Sequence, residues 1–117
     1  FFGLTVRHPR AHLVRAVLEG VAFGLRDSPD LIRGTGGAVD QVRASGGGTR
    51  RVLWRQILAD ILEAEVVTLG TAEGAAYGAA VLAAVGAGWH DSVEEATDSW
   101  VQLSDRTEPS GEEGRDR

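Results

Sequence analysis

The chain has 117 residues, 43% of them hydrophobic, and a formal charge of −5, which is enough for one modest core and too little for two ordinary domains. With no cysteine and only three scattered histidines, a disulfide scaffold and a thiolate metal site are excluded and no metal-ligand pattern remains. Residues 1–55 hold nine arginines against four acids, and residues 56–117 three against thirteen; the basic half reads as solvated helix faces rather than a nucleic-acid surface, because no aromatics are interleaved with its arginines.

The sequence opens on Phe1 with neither an initiator methionine nor a signal core, so it is expected to begin inside a longer protein. From Pro9 to about Arg33, apolar residues recur at Leu13, Val14, Val17, Leu18, Val21 and Leu25, the spacing of a long amphipathic helix. Pro9 suits its first turn, whereas Pro29 is expected to kink or break it near Ser28. "RGTGGAVD", residues 33–40, reads as a flexible connection.

"QVRAS", residues 41–45, is a short strand candidate with Val42 and Ala44 on one face. Three glycines follow, Gly46, Gly47 and Gly48, and then Leu53, Trp54, Ile57, Leu58, Ile61 and Leu62 mark a second helix with Thr49 as its expected N-cap. "EVVTLG", residues 65–70, is the next strand candidate. Thr71 is expected to cap a third helix with Glu73 in its first turn. The helix body is nearly all small residues, and Gly78 within it points to burial against the sheet or another helix. The small-apolar run of residues 74–88 is shorter than the roughly 20 residues a bilayer requires, so no membrane span is expected. Ser92 with Glu95 three residues later is a capping box for a fourth helix. Residues 104–117 are charged and nearly free of apolar side chains, and read as a disordered acidic tail. The alternation of helices and strands argues for an α/β fold with a parallel or mixed sheet.

A strand that ends in glycines and runs into a helix offers unpaired backbone amides at the positive end of a helix dipole, a place suited to phosphate; a merely tight turn is the other reading. "SGGGTRR" is not a P-loop, since the chain has no lysine, and it lacks the G-x-G-x-x-G spacing of a dinucleotide fold.

The opening stretch resembles the C-terminal signature of the FGGY carbohydrate kinases. It has an aromatic residue, then Gly3 and Leu4, seven residues, His12 and Leu13, two residues, then Ala16, Val17, Leu18 and Glu19. "VRASGGGTRRVLWRQILAD" is similar to the strand, glycine turn and helix with which these kinases hold the nucleotide, and "EGAAYGAAVLAAVGAG" to their small-residue helix. With "GVAFGLRDS", the wording is closest to the xylulokinases within the family. The resemblance implies an α/β fold, part of an actin-like ATPase (ribonuclease H-like) domain with helices on a small mixed sheet. Residues 1–103 would be a partial C-terminal, nucleotide-binding domain, and residues 104–117 the tail.

It also implies ATP-dependent phosphorylation of a sugar, xylulose first and glycerol, gluconate or another pentulose as alternatives, in the cytoplasm. A non-catalytic binding module is the reading from another class. The family's enzymes are two-lobed and this chain would be a piece of the second lobe; ATP and Mg2+ would be the cofactors, with the magnesium groups mainly in the first lobe, which the chain does not contain. No catalytic residue is assigned on this chain, because the aspartate base belongs to that first lobe, so the chain alone is expected to be inactive. Gly46, Gly47 and Gly48 would form the turn near the adenosine and α-phosphate. Arg51 stands where the family usually has serine or asparagine, either covering the base or facing solvent. Trp54 is expected in the core, with lining of the nucleotide cleft as the lesser reading; His8 and His12 are expected at the surface or in packing; Glu19 and Asp60 are expected to be structural, capping or pairing with arginines. A homodimer is left open, and no nucleic-acid or membrane partner is expected.

Overall fold

The computed structural model of the chain describes residues 2–70 and 74–111. The order is α1 (Arg10–Gly34), β1 (Gln41–Ala44), a 3-10 turn (Gly47–Arg50), α2 (Val52–Leu62), β2 (Glu65–Leu69), α3 (Gly74–Gly86), α4 (Val93–Trp100) and β3 (Leu103–Thr107). β2 lies at the centre of the sheet: β1 pairs with it in parallel, Val42 opposite Val66, and β3 pairs with it antiparallel, Val66 opposite Thr107. The sheet is therefore small and mixed, as expected, but one of its three strands comes from the segment read as a disordered tail.

That correction has a physical cause. Residues 104–107 carry no apolar stripe, yet β2 has a free edge that they satisfy through backbone hydrogen bonds, and such bonds ask little of side-chain type. The chain beyond is held too. Asp60 on α2 accepts from the Ser110 amide and hydroxyl, both at 2.7 Å, and Gln56 donates to Glu108 O at 3.0 Å. Asp60 is thus structural, with Ser110 and Gln56 among its partners. Residues 112–117 of the expected tail lie outside the described residues.

The core is the α2 face of the sheet. Ile57, Leu58, Ala59, Ile61 and Leu62 pack with Ala22 of α1 and Val66 of β2, and Leu18, Val42, Ala44 and Trp54 lean on them. Val42 and Ala44 share one face, as strand alternation requires. On the opposite face of the sheet, Arg43 and Leu69 line a groove with Tyr77, Val81 and Val101 of the α3–α4 side. α3 is less enclosed than its composition suggests: only Val81 and Ala84 are buried, and a Cβ added to Gly78 would meet nothing within 4 Å. The small residues therefore do not bring another backbone close among the described residues. The expected cap Thr71 and first-turn Glu73 lie outside them.

α1 runs unbroken through Pro29, contrary to the expected break. Proline removes one intrahelical donor, but here the residue is buried, on the side of α1 that lines a cavity with Ile32, Val42 and Trp54. Two arginines of α1 then close the C-terminus of α2. Arg33 donates to Leu62 O at 2.7 Å, and Arg26 donates to Ile61 O at 3.1 Å and pairs with the Glu63 carboxylate. Cations suit that end of a helix. Asp30, held by Arg26 and then by Arg33, has its carboxyl below the ordinary range. Glu19 pairs with Arg15 one helical turn away at 2.7 Å. The capping box forms: Ser92 Oγ accepts from the Glu95 amide at 3.1 Å, while the Glu95 carboxylate reaches back to the Asp91 amide.

Candidate nucleotide-binding turn

β1 and β2 run parallel and each ends in glycine, Gly46 after Ser45 and Gly70 after Leu69. Carboxyl ends of parallel strands are where open α/β sheets bind ligands. Gly46 has φ +98° and ψ 170°, a region open essentially only to glycine; it turns the chain out of the sheet and into the 3-10 turn. The Thr49 amide and hydroxyl both bond Gly46 O, at 3.2 and 2.7 Å, and the Arg51 amide bonds Gly48 O at 3.1 Å. The first amides of such a turn have no partner within it, and those of Gly47 and Gly48 make no backbone bond among the described residues.

α2 therefore starts later than Thr49. Its N-cap is Arg51, with no side-chain capping bond, and Thr49 instead spends its hydroxyl inside the turn. Trp54 is half-buried against the core and also backs the turn: its indole lies 3.3 Å from where a Gly48 Cβ would stand. By contrast, a Cβ on Gly46 or Gly47 would meet no atom of the described residues within 4 Å. The backbone there faces open space that a ligand can approach. Gly74, opening α3, fits against the same place, since its Cβ would fall 2.5 Å from Ser45 Oγ.

Beside the turn is a polar cleft of about 250 Å³, lined by Gly46, Thr49, Arg50, Thr68, Ser104 and Asp105. Of the expected nucleotide residues, Gly46 lines this cleft. Gly47, Gly48 and Arg51 lie next to it, all exposed. Arg50 in the lining and Arg51 beside it give the neighbourhood positive charge, and Asp105 is an acid in the same lining. His8 and His12 lie far along the chain at the exposed start of α1, where Thr5 bonds His8 Nδ1 at 3.0 Å and the two rings meet edge to face. The described residues assemble no cluster of three His, Asp or Glu side chains fit to hold a metal ion, and none of their helices is long and apolar enough to cross a membrane.

Sequence reasoning missed two members of this neighbourhood. Arg55 is only 9% exposed, whereas Leu53, assigned to the apolar stripe, is 53% exposed. The stripe is rotated from the expected one; Arg55 lies three and four residues before the buried Leu58 and Ala59, which was the available signal. Asp105 was hidden by the polar composition of β3.

Residues 1–87 match the FGGY family of carbohydrate kinases, C-terminal domain. A xylulose kinase of Bacillus subtilis (strain 168) is 40% identical over 100 residues, covering 86% of this chain and 20% of that protein. Among solved structures, xylulose kinase from Rhodospirillum rubrum superposes with a TM-score of 0.77 at 37% identity, over 95% of this chain and 22% of the other. Plasmodium falciparum glycerol kinase with ADP superposes with a TM-score of 0.78 at 29% identity, over 93% and 22%. The chain spans about a fifth of the length of these relatives, and its fold is part of their actin-like ATPase architecture. It belongs to the FGGY family of carbohydrate kinases and carries sequence of their C-terminal domain.

Proposed function

We propose that this chain supplies one wall of the ATP site in a kinase that converts xylulose to xylulose 5-phosphate in the cytoplasm. The observation that carries this reading is the glycine turn at the carboxyl end of β1, open at Gly46 and Gly47 and rimmed by arginines. Phosphoryl transfer needs positioning and charge neutralisation far more than covalent help from the protein. In this account the amides of Gly46, Gly47 and Gly48 meet the adenosine and α-phosphate region, and the absence of side chains lets the nucleotide lie against the backbone. Arg51, exposed at the rim, covers the base. Mg2+, the sugar pocket and the aspartate that deprotonates the sugar hydroxyl belong to the remainder of the kinase, so the isolated chain is inactive.

Xylulose is put first because a xylulose kinase is 40% identical to this chain, though gluconate kinases too stand among both the sequence and the structural relatives, a Bacillus subtilis gluconokinase at 38%, and a glycerol kinase superposes equally well; the sugar is read from family likeness and the nucleotide from geometry. The test is an assay of the intact enzyme with MgATP against xylulose, glycerol and gluconate in parallel. Turnover highest with xylulose supports the assignment. Preference for another sugar replaces the substrate while keeping the nucleotide role, and no ATP consumption with any of the three rejects these substrates.

A further inference from the structure

Arg55 stands in the first turn of α2 with its side chain 10% exposed, directly behind the glycine turn. Its Nη1 donates to the carbonyl of Thr49 at 2.8 Å and pairs with Asp105 Oδ2 of β3 at 3.4 Å, while its Nε is buried without a hydrogen-bond partner among the described residues. Burying a guanidinium is costly unless it is paired, and an unmet N–H adds to that cost. A leucine or methionine would fill this place in the apolar stripe without either penalty, so the arginine needs a reason other than packing.

Its contacts supply one. Thr49 is held at three points, through its amide and hydroxyl to Gly46 O and through its carbonyl to Arg55. Because the peptide unit is planar, the two Thr49 bonds to Gly46 O fix the direction of the Gly47 amide that shares its peptide unit, and Arg55, by holding the Thr49 carbonyl, holds Thr49 where it makes them. Asp105 is itself tied down, its amide donating to the buried Thr68 hydroxyl of β2 at 3.0 Å. β2, β3, Arg55 and the turn thus form a continuous chain of bonds that ends at the proposed nucleotide wall.

We propose that Arg55 is a positioning residue for the nucleotide, aligning the Gly47 amide of the turn through Thr49 and itself held by Asp105. This rests on the nucleotide role proposed for the turn. The inference makes ATP binding, and not sugar binding, depend on the Arg55–Asp105 pair.

The experiment uses the intact kinase and measures KM for ATP and for its sugar, ADP affinity by calorimetry, and Tm. Arg55→Met is expected to raise KM for ATP and the ADP Kd about tenfold, with KM for the sugar unchanged. Arg55→Lys, which keeps one donor and the charge, recovers part of the loss. Asp105→Asn, at a carboxylate 60% exposed, gives a smaller rise of roughly threefold, and the double variant is no worse than Arg55→Met. Unchanged ATP and ADP parameters overturn the inference, as does an equal rise for ATP and sugar with a lowered Tm, which marks a merely structural arginine. If Arg55→Met does not fold, Asp105→Asn decides: unchanged ADP affinity overturns it. Gly47→Val in the same enzyme separates the two claims. Loss of ADP affinity there, with none in the Arg55 and Asp105 variants, rejects only the role of Arg55. No loss in any variant rejects the nucleotide role of the turn as well.

Discussion

Gly46 and Gly47 are adjacent glycines with different reasons to be glycine. At Gly46 the constraint is conformational, φ +98° with ψ 170°, so Gly46→Ala is expected to cost about 1–3 kcal/mol of stability, read by denaturant unfolding. At Gly47 the backbone is ordinary and the space beside it empty, so a side chain there is expected to leave stability nearly unchanged and to fill the approach to the turn. Three glycines in a row were legible in the sequence as a bare stretch of backbone. Which of them needs the left-handed region was not, because that depends on how β1 leaves the sheet. Arg55 escaped for a related reason: an arginine one position off an apolar stripe reads as solvated until the helix is rotated against its neighbours.

At the scale of elements, α2 connects everything. Its N-terminal turn carries the glycine turn, its middle fills the core, and its C-terminal carbonyls are closed by arginines reaching over from α1. Arg33→Ala, which leaves the Leu62 carbonyl without that donor, is expected to destabilise the protein by about 1–2 kcal/mol, measured as a shift in the denaturation midpoint. β3 is stitched to β2 partly by Arg106, which lies 2.9 Å from Glu65; Gln41 and Arg106 together hold the Glu65 carboxyl below its ordinary range. A depressed carboxylate contributes stability that is complete above its unfolded pKa and is lost as pH falls through the folded value. Asp30 and Glu95 are depressed as well, Glu95 by the Asp91 amide and then by His90. Stability is therefore expected to fall on acidification below the ordinary carboxylate range, and Glu65→Gln to remove part of that dependence while lowering stability at neutral pH; urea titrations across the acid range measure both. The helices and first two strands were legible because periodicity and caps mark them. β3 was not, since an edge strand built on backbone bonds leaves little trace in composition, and Pro29 misled because its buried surroundings in α1 come from β1 and α2.

The whole molecule is elongated, 62 × 32 × 23 Å with a radius of gyration of 17.5 Å, against about 13 Å for a compact chain of this length. α1 accounts for much of this. Of its 25 residues only Ala22 and Pro29 are buried, and Val14, Val17, Val21, Phe23 and Leu31 are exposed. Val17 and Val21 share one side of α1 and Phe23 another, and apolar side chains left exposed in this number suit contact with a further surface. The isolated chain is accordingly expected to bind a hydrophobic dye such as ANS and to self-associate with rising concentration, and Val17→Glu with Phe23→Glu to reduce both, as read by fluorescence and light scattering.

The central claim is that the glycine turn holds nucleotide. It is tested most directly by calorimetric titration of ADP into the intact kinase and into its Gly47→Val variant, with Tm recorded for each. The account predicts an ADP Kd raised at least about tenfold at an unchanged Tm, because the valine occupies open space beside the turn. An ADP Kd equal to that of the unaltered enzyme would contradict it.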